Sequence, residues 1–144
     1  MAFYADISTV LAMADAFDDL VNAGASAGKL VFYDGTVPAD ASVAITTQNV
    51  LATCVGSDPF FGAATDDTPG ALLIANAISN DGSADATGVC TFYRLMDSNN
   101  VVRAQGTCGA SGSGANIEFN NVYFVITAVV SITAYTHFLP EQGS

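Results

Sequence analysis

Two strand-like runs flanking four turn residues constrain this chain more than any other feature. Residues 88–96 read GVCTFYRLM, Asp97-Ser98-Asn99-Asn100 follows, and residues 101–107 resume as VVRAQGT. β-Branched and aromatic side chains suit a pleated backbone, whereas Asp, Ser and Asn suit turns. The arrangement predicts a β-hairpin. Further strands are expected at residues 29–33, 50–55, 71–78, 116–120 and 128–138. In the last, Val130, Ile132 and Ala134 alternate with Ser131, Thr133 and Tyr135, the pattern of a strand with one face on a core. Turn-forming residues separate the runs throughout. The expected fold class is mainly β: an antiparallel β-sandwich or jelly roll with one N-terminal α-helix.

That helix is expected over residues 6–23. Ile7, Val10, Leu11, Ala14, Phe17 and Val21 recur every three or four residues and make one apolar stripe. Asp6 or Ser8 can cap its start, and Gly24 can end it. Asp15, Asp18 and Asp19 fall mostly off the stripe. The stripe serves either to dock on a neighbouring subunit or to cover the chain's own sheet. The organisation expected is an N-terminal helix or arm over residues 1–27, a β-sandwich domain over 28–138 and a flexible tail over 139–144. The Gly-rich stretch 106–114 reads as a loop within the domain.

Composition narrows the function. The chain has 144 residues, enough for one domain with a modest core, and is 51% hydrophobic with only 12% charged residues. So little charge points to surface that another protein covers. Fourteen acids against Lys29, Arg94 and Arg103 give a net charge of −11. Three cations cannot build the basic patch that DNA or RNA binding requires, and an anionic membrane surface is disfavoured for the same reason. The start, MAFYADIS, lacks the basic region of a signal peptide. The longest apolar segment, residues 122–135, is shorter than a membrane span. Synthesis in the cytosol is expected, with Cys54, Cys90 and Cys108 as reduced thiols. Cys90 and Cys108 are equidistant from Asn99, so a link across the hairpin is the one disulfide to consider.

Little in the sequence points to chemistry. His137 is the only histidine and sits in an alternating strand. A triad with Ser131 or Cys54 lacks a nucleophile-elbow sequence, and one histidine is thin support for a hydrolase. The cysteines lack zinc spacing. Asp66, Asp67, Asp81 and Asp85 place carboxylates in loops, which keeps a calcium-binding module open, but their spacing misses the EF-hand pattern. For a carbohydrate-binding module, Tyr93, Tyr123 and Tyr135 are the candidate platforms, with packing as the alternative. No cofactor, metal or catalytic residue is expected.

Four stretches carry a resemblance. They are LVFYDGTVPADASV from Leu30, SDPFFGAA from Ser57, ISNDGSADATGVCTFYRLMDSNN from Ile78, and ASGSGANIEFNN from Ala110. In this order they resemble a family of small structural proteins of tailed bacteriophages, whose pattern runs LYDGT-x-P, SDPAFG, SADATGTATWFRI-x-DSDG and GTSGADL. Phe92-Tyr93 stands where that pattern has Trp-Phe or Trp-Ala, and Asn99-Asn100 replaces Asp-Gly; Asn tolerates the positive φ such a turn needs. The resemblance covers residues 30–138 and implies a virion component without an active site. Acidity suits the outside of a shell better than a surface facing the genome. The implied role is a capsid decoration or cement protein, with a tail or baseplate subunit as the alternative. Its partner would be the major capsid protein, or tail proteins in the alternative, and a homodimer or homotrimer is expected on a symmetric shell. The expected contacts are Ile7, Val10, Leu11 and Phe17 of the helix and the loop of Asp34, Gly35, Thr36, Val37 and Pro38.

Overall fold

The computed structural model describes residues 3–143. Met1, Ala2 and Ser144, parts of the expected arm and tail, lie outside the described residues. The fold is mainly β with one helix and curled, mixed sheets. In chain order the elements are β1 (Phe3–Tyr4), α1 (Ile7–Val21), β2 (Lys29–Tyr33), β3 (Val50–Val55), β4 (Thr65–Asp66), β5 (Gly70–Ile74), β6 (Gly88–Val89), β7 (Phe92–Met96), β8 (Val102–Ala110), β9 (Ile117–Phe119), β10 (Tyr123–Phe124), β11 (Thr136–Pro140) and β12 (Gln142–Gly143).

The expected hairpin is present. β7 and β8 pair antiparallel, with Phe92 opposite Thr107 and Met96 opposite Val102. An irregularity between Leu95 and Met96 shifts the register, and Asn100 closes the turn with φ +66°. The shift puts Cys108 opposite Thr91, whose carbonyl accepts its N–H at 2.9 Å. Cys54, Cys90 and Cys108 are free thiols. The hydrogen bond with the neighbouring Cys90 and, after it, burial push the Cys108 thiol up.

The hairpin belongs to a five-stranded sheet of order β3-β2-β7-β8-β9, antiparallel except for the parallel β8–β9 pair. β2 shows why its sequence is a continuous apolar run instead of an alternating one: both faces of the sheet are covered there. Leu30 and Phe32 enter the main core with Leu51, Cys54, Tyr93 and Leu95. Val31 and Tyr33 point the other way and meet Phe92, Met96 and the partly buried Ile45 and Val102. Tyr33 stacks on Phe92 at 4.9 Å.

The main core lies between this sheet and a three-stranded sheet of order β11-β5-β4. Phe60, Phe61, Leu73 and Tyr135 fill it, and the Tyr93 and Tyr135 hydroxyls meet at 3.1 Å. Helix α1 packs on the three-stranded sheet, burying Val10, Ala14 and Val21. The carboxylate of Asp6 caps it, accepting the Ser8 N–H at 3.1 Å. Two of the acids off the stripe and the asparagine after the helix have partners as well. Asp15 accepts the N–H of Ala64, Asp18 that of Phe61, and Asn22 that of Phe60. One polar row of the helix thus holds the backbone of residues 60–64 in place.

Three expectations on element limits are corrected. Residues 128–138 are not one strand. Only the bridge at Val130, the Tyr135 carbonyl and the strand from Thr136 onward are paired, and the chain bends at Thr133 between them; Tyr135 is buried and Ala134 exposed, the reverse of the expected alternation. Residues 106–110 of the Gly-rich stretch extend β8, since Gly106 faces Tyr93 and a Cβ there would come within 2.6 Å of the ring. The tail is not free. Leu139 and Pro140 complete β11 against β5, and β12 pairs antiparallel with β1. Ala5 donates to the Glu141 carbonyl at 2.8 Å.

Candidate interaction surface

Most of the contact residues expected from sequence serve the chain's own packing. Val10 is buried in the core, and Leu11 and Phe17 pack against it. Phe17 also stacks on His137 at 4.5 Å. Burial lowers the pKa of His137, which keeps its ring neutral beside the phenyl group. Ile7 is half-buried. The stripe is therefore the face on which the helix docks internally, and this corrects the expectation of a partner site on Val10, Leu11 and Phe17.

The loop after β2 is also tied down. Gly35 adopts φ +79°, which turns the chain back over the outer face of the five-stranded sheet. Asp34 accepts the backbone N–H of Asn49 at 2.6 Å, and Gln48 donates to the Thr36 carbonyl at 2.6 Å. Thr91 donates to the Gly35 carbonyl, and Gln105 to that of Pro38, which is buried. Arg94, only 4% exposed, donates to the Val43 carbonyl at 2.5 Å and to Gln105 at 3.0 Å. Its guanidinium links the loop to β7 and β8. Gly35, Thr36 and Val37 remain exposed at the rim.

The acidic loops are turn builders. Asp81 accepts the N–H of Ser83 and reaches the N–H of Thr53, and Asp66 accepts the hydroxyl of Thr68. No group of three or more His, Cys, Asp or Glu side chains is placed to hold a metal ion among the described residues. Tyr93 and Tyr135 are core residues, whereas Tyr123 is exposed.

The surface that stands out was not read from the sequence. β6 and β10 form a two-stranded ribbon, with Val89 opposite Tyr123. Beyond it the chain turns at residues 125–128, where Ala128 donates to the Val125 carbonyl and Thr127 takes φ +71°. A β-branched residue rarely adopts that conformation. Thr127 is held there by its own N–H on the Ala84 carbonyl and by the Ile126 N–H on the Thr87 hydroxyl. The result is an apolar projection: Tyr123 is 52% exposed, Ile126 51% and Val129 65%, with Val89 and Val125 also exposed. Two grooves flank it. One of about 380 Å³ is lined by Phe119, Tyr123, Phe124, Val125 and Val129; one of about 200 Å³ lies between β9 and residues 131–136. From Phe119 to Pro140 there is no Asp, Glu, Lys or Arg, the longest such run in the chain. That run was the available signal, obscured because its apolar residues read as one core strand.

Among the described residues, no helix is long and apolar enough to cross a membrane. Compared with protein-family models, curated proteins and solved structures, the chain matches none.

Proposed function

We propose that this chain is a structural, non-catalytic component of a tailed-phage particle: a capsid decoration protein that binds the outer shell and stabilises it. The observation that carries this reading is the uncharged apolar projection of Val89, Tyr123, Val125, Ile126 and Val129 on a chain of net charge −11. Clustered exposed apolar side chains mark a surface that another protein covers. Aromatic and aliphatic anchors without charge suit the centre of an interface, where desolvating a carboxylate would oppose binding. The acidic remainder of the molecule suits the solvent side of a shell. The resemblance in residues 30–138 points the same way. We read the scaffold as a sandwich or jelly-roll variant, supported by two sheets facing each other across Phe32, Tyr93, Leu73 and Tyr135.

The test is gold-labelled antibody on intact particles, combined with shell binding by the variants Ile126→Glu and Val129→Asp. Label spread over heads, with both variants folded but released from shells, is the expected result. Label confined to tails reassigns the chain to a tail or baseplate subunit. No label, with the protein also missing from the mass spectrum of disrupted particles, overturns the reading.

A further inference from the structure

Two of the three free thiols meet on one face of the five-stranded sheet. Cys90 lies between β6 and β7, with its N–H on the Val122 carbonyl at 2.8 Å. Strand alternation fails there. The Thr91 hydroxyl reaches the Gly35 carbonyl of the rim loop at 2.8 Å, and Phe92 joins the outer cluster. Two consecutive residues thus turn away from the main core, and Cys90 and Tyr93 on either side of them turn into it. Cys108 on β8 packs against the same core, and its N–H is held on the Thr91 carbonyl at 2.9 Å. The backbone bond and the shared face bring the Cα atoms of Cys90 and Cys108 within about 7 Å, the reach of a disulfide. Their thiols share a hydrogen bond. Cys54 is placed differently. It sits on β3, separated from β8 by β2 and β7, which is about 14 Å at the usual strand spacing, and its sulfur lies 3.7 Å from the Val130 carbonyl.

We propose that Cys90 and Cys108 are a redox pair that closes to a disulfide under oxidising conditions and pins the ribbon of β6 and β10 to β8. The oxidant is a small disulfide such as oxidised glutathione. Cys108 is half-buried and Cys90 buried, so the Cys108 sulfur is the one within reach of the reagent. Its thiolate attacks the reagent, forms a mixed disulfide and expels one glutathione thiolate. The Cys90 thiolate then attacks the Cys108 sulfur and expels the second. Two protein thiols are oxidised, one glutathione disulfide is reduced to two thiols, and the two protons end on the departing thiols. The same exchange run backwards opens the link in a reducing compartment. Cys108 holds its proton tightly, because the Cys90 hydrogen bond and burial both oppose the thiolate. Closure is therefore slow at neutral pH and faster in alkali. The link matters for what stands at its ends. Val89, beside Cys90, pairs with Tyr123, and both belong to the apolar projection. Oxidation thus adds a covalent tie between the base of the projection and the five-stranded sheet, whatever partner the projection meets.

Incubation of the folded full chain with oxidised glutathione, beside a sample unfolded in urea, tests the pair. Thiol titration after denaturation is expected to fall from the three cysteines of the chain to a single one, with the mass of the chain lower by the two hydrogens lost. Cleavage before aspartate puts Cys54, Cys90 and Cys108 on residues 40–57, 85–96 and 97–144, and only the last two peptides should be joined. Cys54→Ser should leave this result unchanged. Cys108→Ser should end it, and Cys90→Ser should stop at a glutathione adduct on Cys108. If a serine variant fails to fold, the peptide map of the wild type still decides. The closed form should melt roughly 10 °C above the reduced form, since the link shortens the unfolded chain's loop between the two residues. Thiols that all survive in the folded chain while the urea sample oxidises overturn the proposal. So does a link that involves Cys54, or one that joins two molecules. A link that forms without raising the melting temperature overturns the pinning.

Discussion

Asp97 offers the sharpest test of how this fold is held. Its side chain is fully buried at the tip of the β7–β8 hairpin. One carboxylate oxygen accepts the backbone N–H of Asn99 at 2.8 Å and of Val101 at 3.0 Å; the other meets the Arg103 guanidinium at 2.9 Å. Burial by itself would raise the carboxyl pKa. The Val101 N–H, the Arg103 side chain and the Asn99 N–H outweigh it and hold the group below the usual carboxylate range. Asp97→Ala strips all three partners at once and leaves two turn amides without their acceptor. Single hydrogen bonds to charged groups contribute about 1.5–3 kcal/mol, and breaking a buried pair costs about 3–5 kcal/mol, so a loss of roughly 3–4 kcal/mol is expected. Asp97→Asn keeps an oxygen for both amides but loses the charge and the acceptor facing Arg103, setting an amide NH2 against the guanidinium, so a smaller loss of about 1.5–3 kcal/mol is expected. Urea denaturation followed by circular dichroism measures both. The pH dependence adds a check of sign. A carboxyl whose pKa is depressed on folding contributes stability above its unfolded pKa of about 3.9, lost as pH falls through the folded value. The gap between wild type and Asp97→Ala should therefore be widest near neutrality and shrink below about pH 4. Equal losses for the two substitutions, or a gap that does not narrow in acid, would refute the reasoning.

Other perturbations address other parts of the fold. Thr127→Gly relieves a β-branched residue at φ +71° and should raise stability by about 0.5–1 kcal/mol in the same urea assay, after the entropy that glycine restores to the unfolded chain. Arg94→Ala removes the clamp on Val43 and Gln105, and limited proteolysis should then cut within residues 39–47 faster than in the wild type. His137 is neutral in the fold because burial lowers its pKa, so its contribution is present above the unfolded value of about 6.5 and lost as pH falls below it. His137→Phe, which keeps the stack on Phe17, should flatten stability between about pH 5 and 7, as monitored by thermal melts.

Much of the local structure was legible in the residues. The hairpin followed from its turn chemistry, and Asn100 takes the left-handed conformation that asparagine tolerates. The 29–33 and 50–55 strands have their expected limits, and α1 begins at its Asp6 cap. The candidate site was much less legible. Asp15 and Asp18 could be placed only off the apolar stripe, because a sequence shows which side of a helix is polar, not which backbone lies opposite it. The loop of Asp34 to Pro38 looked like a free rim because nothing local reveals that Arg94 reaches across it to Val43.

By itself, then, the sequence determined which segments extend, which turn and which helix face is apolar, since those depend on neighbours within a few residues. Only the tertiary structure decided which apolar residues become core and which stay at the surface. Residues 122–134 are the clearest case. Alternation pointed Val130 and Ile132 inward, as found, but Tyr135 is buried where it was expected on the outer face, Ala134 is exposed, and Val125, Ile126 and Val129 face outward although they are as apolar as the core. The difference lies in long-range pairing: Val130 bonds to Asp81, Thr127 bonds to Ala84, and no described strand pairs with residues 131–134. Periodicity states what a strand would bury; only the assembled sheets state whether a partner is there to pair with it.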